Sequence, residues 1–300
     1  MYDIIVIGGG PAGLTAAVYA RRAGKTVLVI EKNTFGGQIT WSPKVENFPS
    51  IPSISGIELG DRLLDHAMCL DTEVELDEVT DLRREGKCWT VSCSLGSVFS
   101  ARAVILAIGA KPRRMGLDGE DRFIGNGISF CAVCDGSFYQ NKVVAVAGGG
   151  NSALQDAVLL SDLCRKVYVI HRRGSFRGEQ TLADILRSKE NVSLLLDTRI
   201  IALSGDSELT GLRLQTGEKA YSLEVDGLFE AIGHQPDTDV FRGLIATDSV
   251  GYICAQEDCA TNQPGIFVAG DCRTKKIRQL TTAIADGTSA ALAACEWLDR

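Results

Sequence analysis

The chain has 300 residues, 45% of them hydrophobic and 23% charged, with a formal net charge of −7 at pH 7. This balance predicts a globular protein of about two domains and excludes disordered, collagen-like and coiled-coil chains. The acidic balance predicts no nucleic-acid partner. The longest uncharged stretch, Ile4 to Ala20, is 17 residues long and broken by glycines, so we expect no membrane span, no secretory signal and a cytoplasmic chain.

The first predicted elements are a strand at Asp3–Ile7, a glycine turn at Gly8–Gly13 and a helix over Ala12–Ala23. In this order, glycines let the backbone approach a pyrophosphate, and the first amides of the helix face it. Glu31 ends the next strand, 18 residues after Gly13, where a carboxylate accepts hydrogen bonds from ribose hydroxyls and repels a 2′-phosphate. The pattern predicts a site for an unphosphorylated ADP moiety, with a turn that binds no ligand as the alternative.

Further along the chain, Cys131 and Cys134 have the C-x-x-C spacing of a redox dithiol. A zinc site normally takes four ligands, and no second C-x-x-C pair or nearby histidine supplies the other half, so no metal site is predicted. Asp135 places a proton donor and acceptor beside the sulfurs, as thiol–disulfide exchange requires. Two buried, unreactive cysteines are the alternative.

An internal repeat predicts a second nucleotide site. At an offset of 140 residues, Ile4–Glu31 aligns with Val144–His171 without a gap, and 10 of the 28 positions are identical. The second copy has the turn Gly148-x-Gly150-x-x-Ala153, and the position of Glu31 is taken by His171, followed by Arg172, Arg173 and Arg177. Arginines at the end of that strand suit a 2′-phosphate, so this copy favours an NADP-type ribose, with a solvated basic loop as the alternative.

Together these segments resemble the low-molecular-weight thioredoxin reductases, from Tyr2 to the last helix. The other segments that carry the resemblance are Gly36-Gly37-Gln38, Val45 to Pro49, Ala107 to Ala110, Ala231 to Pro236, Gly265 to Asp271, and Arg278-Gln279 with the small-residue helix after it.

The resemblance implies FAD at the first site and NADPH at the second, with Gly270-Asp271 as a C-terminal FAD motif. Asp271 ends an apolar strand, where a carboxylate can accept a ribityl hydroxyl, and Arg278-Gln279 precede a helix whose N-terminus can face the flavin. The predicted fold is α/β, with two Rossmann-like domains built on parallel central sheets. Residues 1–112 and 240–300 form a discontinuous FAD-binding domain, and the inserted NADPH-binding domain, 113–239, carries the dithiol.

The predicted site residues follow from these motifs. The FAD contacts are Gly8, Gly10, Pro11, Ala12, Gly13, Glu31, Gly37, Gln38, Asn47, Ala107, Gly109, Gly270, Asp271, Arg278 and Gln279. The NADPH contacts are Gly148, Gly150, Asn151, Ser152, Ala153, His171, Arg172, Arg173 and Arg177. The candidate catalytic residues are Cys131, Cys134 and Asp135.

Four positions depart from the family's pattern. Val133 and Ile108 stand where threonine is frequent, Asn151 stands where an acid is common, and Glu230 stands where an apolar residue is usual. None of them removes a reacting group. Asn151 and Ile108 lie where the family contacts its nucleotides, so we expect them to affect those contacts. Glu230 lies in the strand that leads into the second connection between the domains, and we expect it to affect that strand.

The function implied is NADPH-dependent reduction of the disulfide of thioredoxin or a thioredoxin-like protein, through FAD and the Cys131–Cys134 pair, by a homodimer. One alternative keeps the flavin and dithiol but takes electrons from ferredoxin or passes them to oxygen. Such relatives typically lose the second glycine turn or its arginines, and both are present here. A non-catalytic redox or nucleotide sensor is an alternative from another class, and it leaves the dithiol and Asp135 unused.

Overall fold

The computed structural model describes residues 1–300, which divide into two compact units. Unit 1 comprises Met1–Lys111 and Gln235–Arg300, and unit 2 comprises Pro112–His234. None of the helices combines the length and apolar character that crossing a bilayer requires.

The secondary structure follows in chain order. The strands are β1 (Tyr2–Ile7), β2 (Val27–Glu31), β3 (Glu73–Leu76), β4 (Val79–Glu85), β5 (Cys88–Cys93), β6 (Val98–Leu106), β7 (Ala110–Pro112), β8 (Ile128–Ser129), β9 (Val143–Ala147), β10 (Lys166–Ile170), β11 (Val192–Leu195), β12 (Thr198–Gly205), β13 (Leu209–Thr216), β14 (Lys219–Glu224), β15 (Gly227–Glu230), β16 (His234–Pro236) and β17 (Ile266–Val268). The helices are α1 (Pro11–Arg22), α2 (Gly56–Met68), α3 (Glu120–Phe123), α4 (Ala132–Asp135), α5 (Asn151–Leu163), α6 (Gln180–Ser188) and α7 (Leu280–Leu298).

Unit 1 is built on a sheet in the order β3-β2-β1-β6-β5-β4. Strand β1 pairs in parallel with β2 and β6, and the C-terminal end of β6 also pairs in parallel with β17. The four apolar residues Ile4–Ile7 are all buried, as expected for a parallel strand covered on both faces. Ile4 and Val6 pack against α1 and α7, whereas Ile5 and Ile7 belong to the opposite core with Trp89 and Phe241.

Unit 2 repeats this design with a parallel sheet in the order β11-β10-β9-β15-β8. Helices α5 and α6 cover one face, packing on Val144 and Val146 of β9. The other face, at Ala145 and Ala147, packs on apolar side chains of β13 in the antiparallel sheet β12-β13-β14. The prediction of an α/β fold with two Rossmann-like parallel sheets is confirmed.

The chain passes between the units at two connecting strands, β7 and β16, which pair with each other as a two-stranded sheet. Just beyond this pairing, the amide of Arg113 donates a hydrogen bond to the carbonyl of Gly233 at 2.8 Å. The two ends of unit 2 therefore lie side by side.

Candidate nucleotide sites and redox disulfide

The first glycine turn joins β1 to α1 with no space for side chains. Gly8 has φ +110°, and a Cβ there would overlap the carbonyl of Ala107. A Cβ at Gly13 would overlap the carbonyl of Gly8, so the third glycine lets the first turn of α1 approach the end of β1. Gly10 is the extended N-cap, and Pro11 takes the first helical position, where a missing N–H costs nothing. The turn leaves the first amides of α1 to face a phosphate.

Glu31 lies at the end of β2 beside this turn. Its Oε2 accepts a hydrogen bond from the Gly9 amide at 2.7 Å, and its Oε1 accepts one from the Asn33 amide at 2.9 Å. These bonds fix the carboxylate at the position where the sequence predicts ribose recognition. Each carboxylate oxygen has more than one lone pair, so hydroxyl donors can still bind.

The C-terminal motif supplies a second set of groups to unit 1. Gly270 has φ +81°, and a Cβ there would lie 2.9 Å from the Cβ of Ala12, so this turn packs closely on the start of α1. Oδ1 of Asp271 is buried and has no hydrogen-bond partner. Burial raises the pKa of Asp271, against the opposing charges of Lys275 and Arg278. Lys275 Nζ lies 3.9 Å from this oxygen, beyond hydrogen-bond distance, so a buried carboxylate oxygen with no hydrogen bond fits a hydroxyl-bearing ligand such as the ribityl chain of FAD.

Asp286, on α7, holds this motif in place and was not identified from the sequence. Its Oδ2 accepts hydrogen bonds from the amide of Gly270 at 3.1 Å, Nε of Arg273 at 2.9 Å and Nζ of Lys275 at 2.8 Å. Its Oδ1 accepts a further bond from Nη2 of Arg273 at 2.7 Å. The visible signal was an acidic residue in the first half of a helix made mostly of small residues.

Gly37 and Gln38, two further predicted FAD residues, lie beside Gly10 and Gly109. Gly37 has φ +61°, and a Cβ there would lie 3.1 Å from Cα of Gly10. Gln38 donates to the carbonyl of Ala110 at 3.1 Å, beside Gly109. Asn47, by contrast, is exposed in the loop closed by the Val45–Ile54 bridge, and no hydrogen bond joins it to the glycine turn.

The two residues before α7 have structural partners. Arg278 donates to the carbonyls of Asp271 and Arg273 at 3.2 and 3.3 Å, and its guanidinium lies 4.0 Å from the centre of the Tyr252 ring. Gln279 caps α7 through reciprocal hydrogen bonds with Thr282. The segment that links the Gly270 turn to α7 is therefore fixed by its own side chains.

The second glycine turn has the same construction in unit 2. Gly148 has φ +154°, and a Cβ there would lie 2.6 Å from the Cβ of Ala153, which takes the third glycine's place. Gly150 is the extended N-cap of α5, and Asn151 and Ser152 are exposed at the start of that helix. The amides that begin α5 are thus open to a phosphate.

His171 and the arginines differ in placement. The imidazole is buried against Gly149, where a Cβ would overlap the ring, and Nε2 has no partner. Burial, followed by the charges of Arg177 and Arg173, lowers the pKa of His171, so the ring is neutral at pH 7. The arginines at 172, 173 and 177 are all exposed. The cationic part of the predicted cluster therefore consists of the arginines.

Asn151 ties the arginine loop to α5. Its Nδ2 donates to Oε1 of Glu179 at 3.0 Å, and its Oδ1 accepts from the Glu179 amide at 2.7 Å. The amides of Arg177 and Gly178 donate to the carbonyl of Gly149 at 2.7 and 3.1 Å. Asn151, which stands where the family commonly has an acid, is therefore held by hydrogen bonds to Glu179.

The two cysteines of the C-x-x-C motif form a disulfide at the start of α4. Cys131 is the extended N-cap residue, and its Sγ accepts a hydrogen bond from the Cys134 amide at 3.2 Å. Both cysteines are partly accessible, and Val133 between them is 60% exposed. The disulfide is accessible enough for another reactant to approach it.

Asp135 ends the same short helix. Oδ2 accepts a hydrogen bond from the Ser129 hydroxyl at 2.6 Å, while Oδ1 is buried and without a partner. Burial raises the pKa of Asp135, and the Ser129 hydroxyl partly opposes this rise. A carboxyl group that retains its proton closer to neutral pH suits proton exchange with a thiol. Ser129 was not identified from the sequence.

The chain belongs to the pyridine nucleotide-disulphide oxidoreductase family, whose profile matches residues 2–287. It is 39% identical to the thioredoxin reductase of Mycolicibacterium smegmatis, over 99% of this chain and 97% of that protein. It is also 39% identical to the thioredoxin reductase of Listeria monocytogenes, over 96% and 91% of the two chains.

The solved structures include the thioredoxin reductase of Streptococcus pyogenes, which matches with a TM-score of 0.94 and 34% identity over 100% of this chain and 98% of that chain. The resemblance predicted from the motifs is confirmed, and the chain is an oxidoreductase enzyme. FAD and NADPH are the cofactors of the thioredoxin reductases in this family, and the turns at Gly8 and Gly148 fit them.

Proposed function

We propose that this protein reduces the disulfide of thioredoxin, or of a thioredoxin-like protein, with electrons from NADPH. The accessible Cys131–Cys134 disulfide beside the buried carboxyl of Asp135 is the observation that carries this proposal. The names of the relatives support it. A nucleotide-binding sensor has no use for these three residues, so the sensor is the weaker interpretation.

We assign the cofactors to the units by their charges. Unit 1 takes FAD, because Glu31 beside the first turn accepts ribose hydroxyls and repels a 2′-phosphate. Unit 2 takes NADPH, because the arginines after β10 provide forked donors for a 2′-phosphate. The proposed FAD-binding domain, residues 1–112 with 240–300, then overlaps most of unit 1, and the proposed NADPH-binding domain, residues 113–239, includes nearly all of unit 2.

FAD held at the first glycine turn, beside Glu31 and Asp271, would supply an electron pair that originates as a hydride from the nicotinamide. These two electrons break the Cys131–Cys134 bond and leave two thiolates, and Asp135 protonates one of them. A thiolate of the pair then attacks the partner's disulfide and forms a mixed disulfide. The other cysteine of the pair then attacks the mixed disulfide and displaces the partner's sulfur. This step restores the Cys131–Cys134 bond and releases the partner as a dithiol.

Rapid mixing with NADPH tests the relay. We expect NADPH to bleach the flavin and to produce two titratable thiols, and we expect Cys131→Ser or Cys134→Ser to retain bleaching but lose thioredoxin reduction. Bleaching by reduced ferredoxin alone, or electron transfer to oxygen in place of thioredoxin, would support the alternative flavin enzymes. No bleaching by any donor would support the sensor.

The phosphate assignment has its own test. Replacing Arg172 and Arg173 with alanine removes charge-assisted hydrogen bonds, so NADPH binding weakens by about tenfold or more while NADH binding changes little. Arg199→Ala, at another exposed position of unit 2, serves as the control. Equal weakening of NADPH and NADH would contradict the assignment.

The resemblance also leads us to propose a homodimer in the cytoplasm. Sedimentation equilibrium of the purified protein tests the first part, and fractionation of cells that express the full chain tests the second. A monomer at micromolar concentration would contradict the dimer.

A further inference from the structure

The Ser129 hydroxyl lies between the disulfide and the carboxyl group beside it. It donates to Oδ2 of Asp135 at 2.6 Å and accepts a hydrogen bond from the Cys131 amide at 3.1 Å. Ser129 is only 5% exposed and is held by β8, where it lies opposite Phe229 of β15. A single hydroxyl thus connects the backbone of Cys131 to the carboxyl group of Asp135.

This arrangement distinguishes the two oxygens of Asp135. Oδ2 is committed to Ser129, whereas Oδ1 is buried with no partner. A hydroxyl has one hydrogen to donate, so while Ser129 donates to Asp135 it can only accept from the Cys131 amide. The oxygen available to carry an exchangeable proton is therefore Oδ1.

No charged side chain is among the causes of the shift in the pKa of Asp135. Helix α5 presents Leu160 and Leu163 toward Gly136, the next residue. The nearby phenol of Tyr139 is neutral, because burial and then the charge of Asp135 raise its pKa to about 12. The other titratable groups that act on Tyr139 are Glu208, Asp226 and Cys164, and burial raises the pKa of Cys164 to about 11. Burial and the Ser129 hydroxyl are therefore the two influences on Asp135.

We propose that Ser129 is a positioning residue for thiol–disulfide exchange, which fixes the Asp135 carboxyl to the Cys131 backbone and reserves Oδ1 for the proton. This inference rests on the proposed function, and in particular on Asp135 as the acid and base. Ser129 keeps its own proton throughout.

The proton balance is simple. When the disulfide accepts two electrons, the S–S bond breaks and two thiolates form. The O–H bond at Oδ1 of Asp135 breaks, an S–H bond forms on one sulfur, and the carboxylate remains bound to Ser129. When the dithiol reduces the partner's disulfide, that thiol returns its proton to Oδ1, and the partner's departing sulfurs take protons from water.

The test uses the full-length holoenzyme, reduced with NADPH and mixed with oxidised thioredoxin across pH 5 to 9. We expect Ser129→Ala to slow exchange by about tenfold at pH 7, which is part of the ~100-fold or more that a positioned acid contributes. We also expect the midpoint of its pH profile to move upward, because a hydrogen bond that favours the ionised carboxylate is lost. Ser129→Thr retains the hydroxyl and restores the wild-type profile. Ser137→Ala, at an exposed serine nearby, is the matched control.

A double-mutant comparison separates this inference from the proposed function. In the Asp135→Asn background, we expect Ser129→Ala to have no further effect. If Asp135→Asn alone keeps the wild-type rate and profile, the assignment of Asp135 fails, and the inference fails with it. If Asp135→Asn changes the profile and Ser129→Ala does not, the inference alone is overturned. Should Ser129→Ala fail to fold, Ser129→Val against Ser129→Thr, a pair of similar shape, makes the same comparison.

Discussion

Glu230 is a buried acid whose ionisation opposes folding. It ends β15 opposite Ala147 and is only 1% exposed. The carboxylate of Glu120 nearby is already engaged by Arg114 and by the amide of Leu117. Burial, reinforced by the negative charge of Glu120, raises the pKa of Glu230 to about 8.

The raised pKa makes stability depend on pH. The folded state retains the proton of Glu230 up to about pH 8, whereas the unfolded chain releases it near the ordinary glutamate pKa of 4.5. The contribution of the neutral acid is therefore complete below pH 4.5 and is lost as the pH rises through about 8. At about 1.36 kcal/mol per pH unit, the rise sets an upper limit of about 5 kcal/mol on this loss.

Glu230→Gln removes the ionisable group while keeping its size. In the wild type, we expect the free energy of unfolding to fall as the pH rises. The variant should lose this decrease and be more stable than the wild type at pH 8, as measured by urea denaturation at pH 5, 6.5 and 8. Glu224→Gln, at an exposed position of β14, is the control and keeps the wild-type slope. Equal slopes for the wild type and Glu230→Gln would refute the reasoning.

Two further predictions concern side chains that hold the nucleotide sites together. Asn151→Asp removes the donor to Glu179 and places two carboxylates together, so the KM for NADPH rises about tenfold with little change in kcat, and Glu179→Gln partly restores it; no rescue in steady-state kinetics would argue against this pairing. Asp286→Ala removes the only carboxylate paired with Arg273 and leaves Lys275 only its longer 3.9 Å pair with Asp271, which costs about 3–5 kcal/mol in urea denaturation and weakens FAD retention. An unchanged urea midpoint would contradict the role of Asp286 in holding Arg273 and Lys275.

The glycine turns were predictable because their chemistry is local. A tight turn between a strand and a helix needs glycine at fixed spacing, and an acid at the end of the next strand, such as Glu31, marks ribose recognition. The distribution of apolar residues along β1 and β9 likewise predicts buried parallel strands. Each turn and its strands lie within a stretch of about 30 residues, so the internal repeat was sufficient to identify both nucleotide sites.

The remaining features depend on pairs of residues that spacing does not connect. Glu230 was visible as a departure from an apolar pattern, but its neighbour Glu120 lies in a distant segment. Ser129 is an ordinary residue until folding places its hydroxyl against Asp135. Asn47 lies in an exposed loop, and the cofactor contact predicted from its motif stays a prediction.

The paired connecting strands make unit 2 a removable insert. Residues 112 and 234, its first and last, lie in neighbouring strands, and so do Lys111 and Gln235 on the unit 1 side. Deletion of the insert therefore leaves ends that a short peptide can rejoin, and no separate hydrophobic core is cut. Each unit thus keeps its own hydrophobic core when the chain is divided at these strands.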